Sequence, residues 1–113
     1  MVRQGDIIKT DFNPIKGSEQ AGYRPAIVIS NKLFTQVTNM TLVCAITNTK
    51  RKNPLYVKLS EEMKTTGFIM CDQTRAIDLR HRPYKLIERA PREIAEKVSF
   101  LIKATVEIPD DYE

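Results

Sequence analysis

The chain of 113 residues has no tryptophan, only four glycines, two cysteines and a single histidine. One histidine cannot supply the two imidazoles that share a proton in acid–base pairs, so a paired-histidine mechanism within one chain is excluded. Cys44 in "TLVCAIT" and Cys71 in "GFIMCDQ" lie in apolar stretches, with neither close pairing nor metal-ligand spacing. Buried free thiols are the expectation. Apolar runs such as "AIVI" fall far short of the roughly 20 residues that span a bilayer. The opening "MVRQGDIIKTDF" alternates charge and apolarity without the apolar core of a signal peptide. No internal repeat or low-complexity segment occurs, and a cytoplasmic protein with no membrane association is expected.

What is present fits one globular domain over residues 1–113, with 42% hydrophobic and 28% charged residues. The net charge of +4 is unevenly spread. Three carboxylates fall in the final "PDDYE", so residues 1–108 carry 18 basic against 11 acidic side chains. Six of the basic ones (Arg75, Arg80, Arg82, Lys85, Arg89, Arg92) meet only Asp78 and Glu88 between positions 75 and 92. Such a surplus attracts polyanions through counterion release, and it is also common on ordinary solvated faces.

Periodicity points to a mainly β protein. "GDIIKTDF" sets Ile8, Thr10 and Phe12 on one face and Ile7, Lys9 and Asp11 on the other. "PAIVIS", "TLVCAIT" and "LYVKL" are short, β-rich runs bounded by polar residues, and "GFIMCDQTRAIDL" is long enough for a bent strand. From Pro91 the period changes: Ile94, Val98, Leu101, Ile102 and Thr105 make the stripe of an amphipathic helix, with Pro91 at its first position and Pro109 past its end. A small β-barrel of five to seven strands closed by a C-terminal helix is expected.

The densest polar set is "KGSEQAGYRP", residues 16–25. Gly17 and Gly22 allow positive φ and close approach of a ligand, and Pro25 biases Arg24 toward an extended backbone. Glu19 and Arg24 are close enough to pair, which would serve a structural hairpin as well as a site.

Taken in order, "QGDIIKTDFNPIKGSEQAGYRPAIVIS", "VCAIT", "TTGFIMCDQTRAID" and "LRHRPYK" resemble the MazF/PemK family of toxin endoribonucleases over nearly the whole chain. The resemblance implies an SH3-like, Kid/CcdB-like β-barrel and a homodimer that cuts single-stranded RNA at short motifs without metal or other cofactor. It implies an acidic, partly disordered cognate antitoxin as partner, and contact with DNA only through the antitoxin complex. Carried over residue by residue, it marks Arg24 and Thr47 as catalytic with Glu19 as a third, and Gln73 as a site or base-reading residue. "CAIT" stands where "CPIT" is commoner, and the links 48–53 and 80–85 differ among members. The acidic tail 109–113 looks foreign to the family. CcdB-like proteins that bind DNA gyrase are an alternative of the same fold, but they end in Trp-Gly-Ile and this chain in "PDDYE". An RNA-binding module without activity is a third.

The residues suit the chemistry. A fixed guanidinium at Arg24 matches phosphate geometry and can stabilise transition-state charge, while its high pKa makes it a poor acid or base. Thr47 offers a hydroxyl donor, and Glu19 a base or an orienting group for Arg24. Asn13, Ser18, Gln20, Asn48, Gln73, Arg80 and Arg82 are the candidate RNA contacts, with Tyr23 and Phe12 as stacking surfaces unless they pack in the core. His81, inside a basic run, reads as a solvated or phosphate-contacting residue.

Overall fold

The computed structural model describes residues 1–12, 23–50 and 52–112. Its strands are β1 (Asp6–Asp11), β2 (Tyr23–Val28), β3 (Thr41–Thr47), β4 (Tyr56–Lys58), β5 (Phe68–Ile77) and β6 (Tyr84–Arg89). Among the described residues two helices accompany them, α1 (Lys32–Thr38) between β2 and β3 and α2 (Arg92–Val106) after β6. All strand pairings are antiparallel, in the order β4-β5-β3-β2-β1-β6. The mainly β fold with a C-terminal helix is as expected, but the sheet is open, with edges at β4 and β6.

Alternation along the strands feeds two cores, one on each face. Ile7, Ile27, Cys44, Ile46, Ile69 and Cys71 point to the face covered by α2, where Ile94 and Val98 of the helix complete the larger cluster. Ile8, Ala26, Val28, Val43 and Ile77 make a smaller cluster on the other face, flanked by Phe12 and Tyr84. β1 is buried on both sides because Ile7 and Ile8 serve different cores. Burying Ile94 and Val98 contributes roughly 1.5–3 kcal/mol each, so a charged residue at Val98 would detach α2.

Pro91 stands one place earlier than expected: it is the N-cap, with φ −58° and ψ 151°, and offers no side-chain hydrogen bond. The stripe holds at Ile94 and Val98, loosens to half-buried at Leu101 and Ile102, and ends at exposed Thr105. Helix α1 was not expected. It is capped by Asn31, whose side chain accepts from the Phe34 N–H, and ends on Asn39 at φ 62°, but none of its residues is buried. Among the described residues no helix is long and apolar enough to cross a membrane.

The candidate active site

Strand register puts Arg24 and Thr47 on one face of the sheet. Thr10 of β1 pairs with Arg24 of β2, and Ala26 of β2 pairs with Ala45 of β3. Directly paired residues share a face, and residues two apart along a strand share it again. The β2–β3 pairing ends at Ala26–Ala45, and Arg24 and Thr47 each lie two residues beyond it, on the smaller-core face that Thr10 shares. Arg24 is exposed, Thr47 half-buried and Thr10 fully buried.

Each side chain is held by local geometry. The Thr49 N–H donates to Thr47 Oγ1 at 3.1 Å, so the hydroxyl accepts from its own chain and keeps its proton for a ligand. Behind Thr47 lies Gly67, at φ +118°, packed so closely that a Cβ there would overlap the Thr47 carbonyl oxygen and sit 3.1 Å from Asn48 Oδ1. Thr66 donates its hydroxyl to that same Asn48 oxygen at 3.0 Å, which orients the exposed Asn48 amide beside Thr47. Gly67 is therefore the residue that lets the β3 end take this position.

A bulge in β5 falls beside the glutamine. Cys44 pairs with Thr74 and Ile46 with Ile69, so Met70 to Gln73 stand against Ala45 alone. The extra length bends β5, letting its first half pair with β4, and leaves Gln73 exposed one residue past Asp72. Segment 79–83 is tied to the end of β1. Buried Thr10 donates its hydroxyl to the Pro83 carbonyl at 2.7 Å, and Arg82 Nη1 donates to the Asp11 carbonyl. Arg82 Nε is buried with no hydrogen-bond partner among the described residues.

Arg80 is placed differently. Its guanidinium grips Asp78 with two bonds, Nε to Oδ1 at 3.0 Å and Nη2 to Oδ2 at 2.9 Å, and it lines a separate cavity of about 710 Å³. That grip, first through the hydrogen bond and then through charge, lowers the Asp78 pKa to about 2. His81 is largely exposed, 4.0 Å from the same carboxylate. Asn13, Ser18, Glu19 and Gln20 lie outside the described residues. Among the described residues no three His, Cys, Asp or Glu side chains gather as a metal-binding group.

The residues 3–106 match the family model described as PemK-like, MazF-like toxin of type II toxin-antitoxin system. The chain belongs to that family. The endoribonuclease toxin MazF of Escherichia coli strain K12 is 38% identical over 105 residues, covering 92% of this chain and 89% of that protein. The endoribonuclease PemK of Escherichia coli is 34% identical over 101 residues, covering 86% and 76%. A crystal structure of MazF from Deinococcus radiodurans superimposes with a TM-score of 0.81 at 26% identity, over 95% of this chain and 97% of that one. The family model stops before the acidic tail, which begins past the end of α2.

Sequence reasoning missed two structural features on these strands. Gly67 carried a signal, as one of only four glycines at the start of a strand. Arg75, counted only within the basic run, lies with its guanidinium carbon 5.2 Å from the centre of the Phe12 ring. Phe12 itself packs on the smaller core.

Proposed function

We propose that this protein is the toxin of a type II toxin–antitoxin module and an endoribonuclease that cuts single-stranded RNA at short motifs without a metal, blocking translation. The observation that carries this reading is the shared face of Arg24 and Thr47, a permanent cation and a hydroxyl donor at the ends of adjacent strands. Family membership and the endoribonuclease names of the relatives support it.

In the proposed reaction the ribose 2′-oxygen attacks the adjacent phosphorus while the P–O5′ bond breaks. The 2′ proton passes to a base, and the departing O5′ takes up a proton, leaving a 2′,3′-cyclic phosphate and a 5′-hydroxyl end. Arg24 neutralises charge that builds on the non-bridging oxygens. The Thr47 O–H, left available by the Thr49 N–H, donates to one of them. Glu19 acts as base or orients Arg24. Asn13, Ser18, Gln20, Asn48, Gln73 and Arg82 hold the strand, and Arg80 joins them only when released from Asp78.

The protein works as a homodimer in the cytoplasm, and exposed Leu33 and Val37, one turn apart on α1, support a self-association surface. An acidic antitoxin segment covers the basic groove by folding upon it, and DNA is met only through that complex. MazE–MazF complexes solved from Deinococcus radiodurans share this fold, at a TM-score of 0.79, and support such a partner. Nothing among the relatives favours gyrase binding. The test is incubation with single-stranded RNA in excess chelator: discrete cuts with 5′-hydroxyl ends are expected, and intact RNA would reject the activity.

A further inference from the structure

Arg75 and Phe12 meet from distant strands. The order β5-β3-β2-β1 puts two strands between them, a span of about 14 Å in a flat sheet at the usual strand spacing. Yet the Arg75 guanidinium lies over the Phe12 ring, and its Nη1 donates a long bond of 3.4 Å to the Phe12 carbonyl. The sheet must therefore curl, and the Arg75 side chain reaches across to the end of β1. Val43 of β3 pairs with Arg75 and shares its face, the face that carries Arg24 and Thr47.

The arrangement is layered. Phe12 rests on the smaller core and is half-buried, while Arg75 above it is exposed. Arg80, Arg89 and Arg92 each have a carboxylate partner, but among the described residues none pairs with Arg75. A guanidinium anchored by a ring and a carbonyl yet still exposed keeps surface free for a ligand, and among the described residues no carboxylate offsets its charge. Unpaired bases stack on guanidinium planes as they do on aromatic rings. An exposed cation–π contact adds only about 0.5–1 kcal/mol to folding, so stability alone is a weak reason for this geometry.

We propose that Arg75, held over Phe12, is a stacking platform for an unpaired nucleobase flanking the scissile phosphodiester. It sets how tightly RNA binds rather than how fast it is cut. The assignment rests on the RNA-cleaving function proposed above and adds a residue outside its catalytic and binding set.

The test uses the full chain and a single-stranded RNA cut by it, made resistant by a 2′-deoxy sugar at the cleaved position and carrying 2-aminopurine beside that position. Arg75→Lys keeps the charge and removes the plane. Because the residue is exposed, its fold is expected to match wild type in thermal unfolding. Expected for Arg75→Lys are binding weaker by roughly five- to a hundredfold and loss of 2-aminopurine quenching, with an unchanged salt slope. On cleavable RNA, KM should rise while kcat stays within about twofold. Wild-type affinity and quenching in Arg75→Lys, with loss only in Arg75→Gln, would make the residue a phosphate contact and overturn the platform alone. A wild-type protein that neither binds nor cuts RNA overturns the platform and the proposed function together.

Discussion

Gly67 and Thr47 interlock: the glycine's missing side chain is the space in which the Thr47 carbonyl lies, and its φ of +118° is one that residues with a Cβ rarely adopt. Gly67→Ala must strain the backbone, at about 1–3 kcal/mol, and also push the β3 end away. Urea unfolding should show that loss, and RNA cleavage should fall by more than the folded fraction does, because Thr47 moves. Cleavage that merely tracks stability would show that this packing does not position the hydroxyl.

Arg80 is already neutralised by Asp78, so Arg80→Ala should leave RNA binding within about twofold of wild type. Asp78→Asn frees the guanidinium, and if it then reaches a phosphate the salt dependence of binding should steepen by about 0.7. A large loss of affinity in Arg80→Ala would mean that RNA pulls the pair apart in the wild type.

Acid should weaken the fold at two known points. Burial pushes Glu88 up, but bonds from the Thr65 hydroxyl and the Lys64 and Thr65 N–H groups outweigh it and bring the carboxyl below its ordinary 4.5. Asp78 is lowered to about 2 from 3.8 by Arg80. A carboxyl whose folded pKa is depressed contributes stability above its ordinary value and loses it as pH falls through the folded one. Stability should therefore decline below about pH 4.5, and Glu88→Gln should flatten the upper part of that decline at a cost of roughly 1–2 kcal/mol near neutrality. Denaturant melts at pH 7, 5, 4 and 3 check this, and an unchanged acid limb in Glu88→Gln would refute it.

Both thiols should be inert in the native protein. Burial, then the neighbouring Cys44 and Asp72, pushes Cys71 up to about 12, and burial also raises Cys44. Iodoacetamide at pH 8 should label neither until denaturant opens the cores, whereas rapid labelling of a folded sample would contradict that burial.

The strands were legible because their alternation feeds two cores: β3 matches its expected run from Thr41 to Thr47 residue for residue. Helix α1 was hidden because seven residues with nothing buried leave no apolar stripe to read, although Asn31 and Asn39 bracket it as caps. β6 was not read as a strand, and its first residues fell in the link 80–85, because an edge strand carries charges, here Lys85, Glu88 and Arg89, where an inner strand carries apolar residues. Arg24 and Thr47 were marked by motif, but the face they share depends on a β2–β3 register set by the whole hydrophobic pattern. The Arg75–Phe12 contact was not legible, because it depends on how far the sheet curls.

The most direct measurement is a double-mutant cycle on single-turnover RNA cleavage with Arg24→Ala, Thr47→Val and the pair. If the two groups act together on one phosphodiester, each single variant should lose on the order of a hundredfold or more, and the double should be little worse than the poorer single. Either single variant cutting at the wild-type rate, or losses that multiply in full, would contradict a shared site.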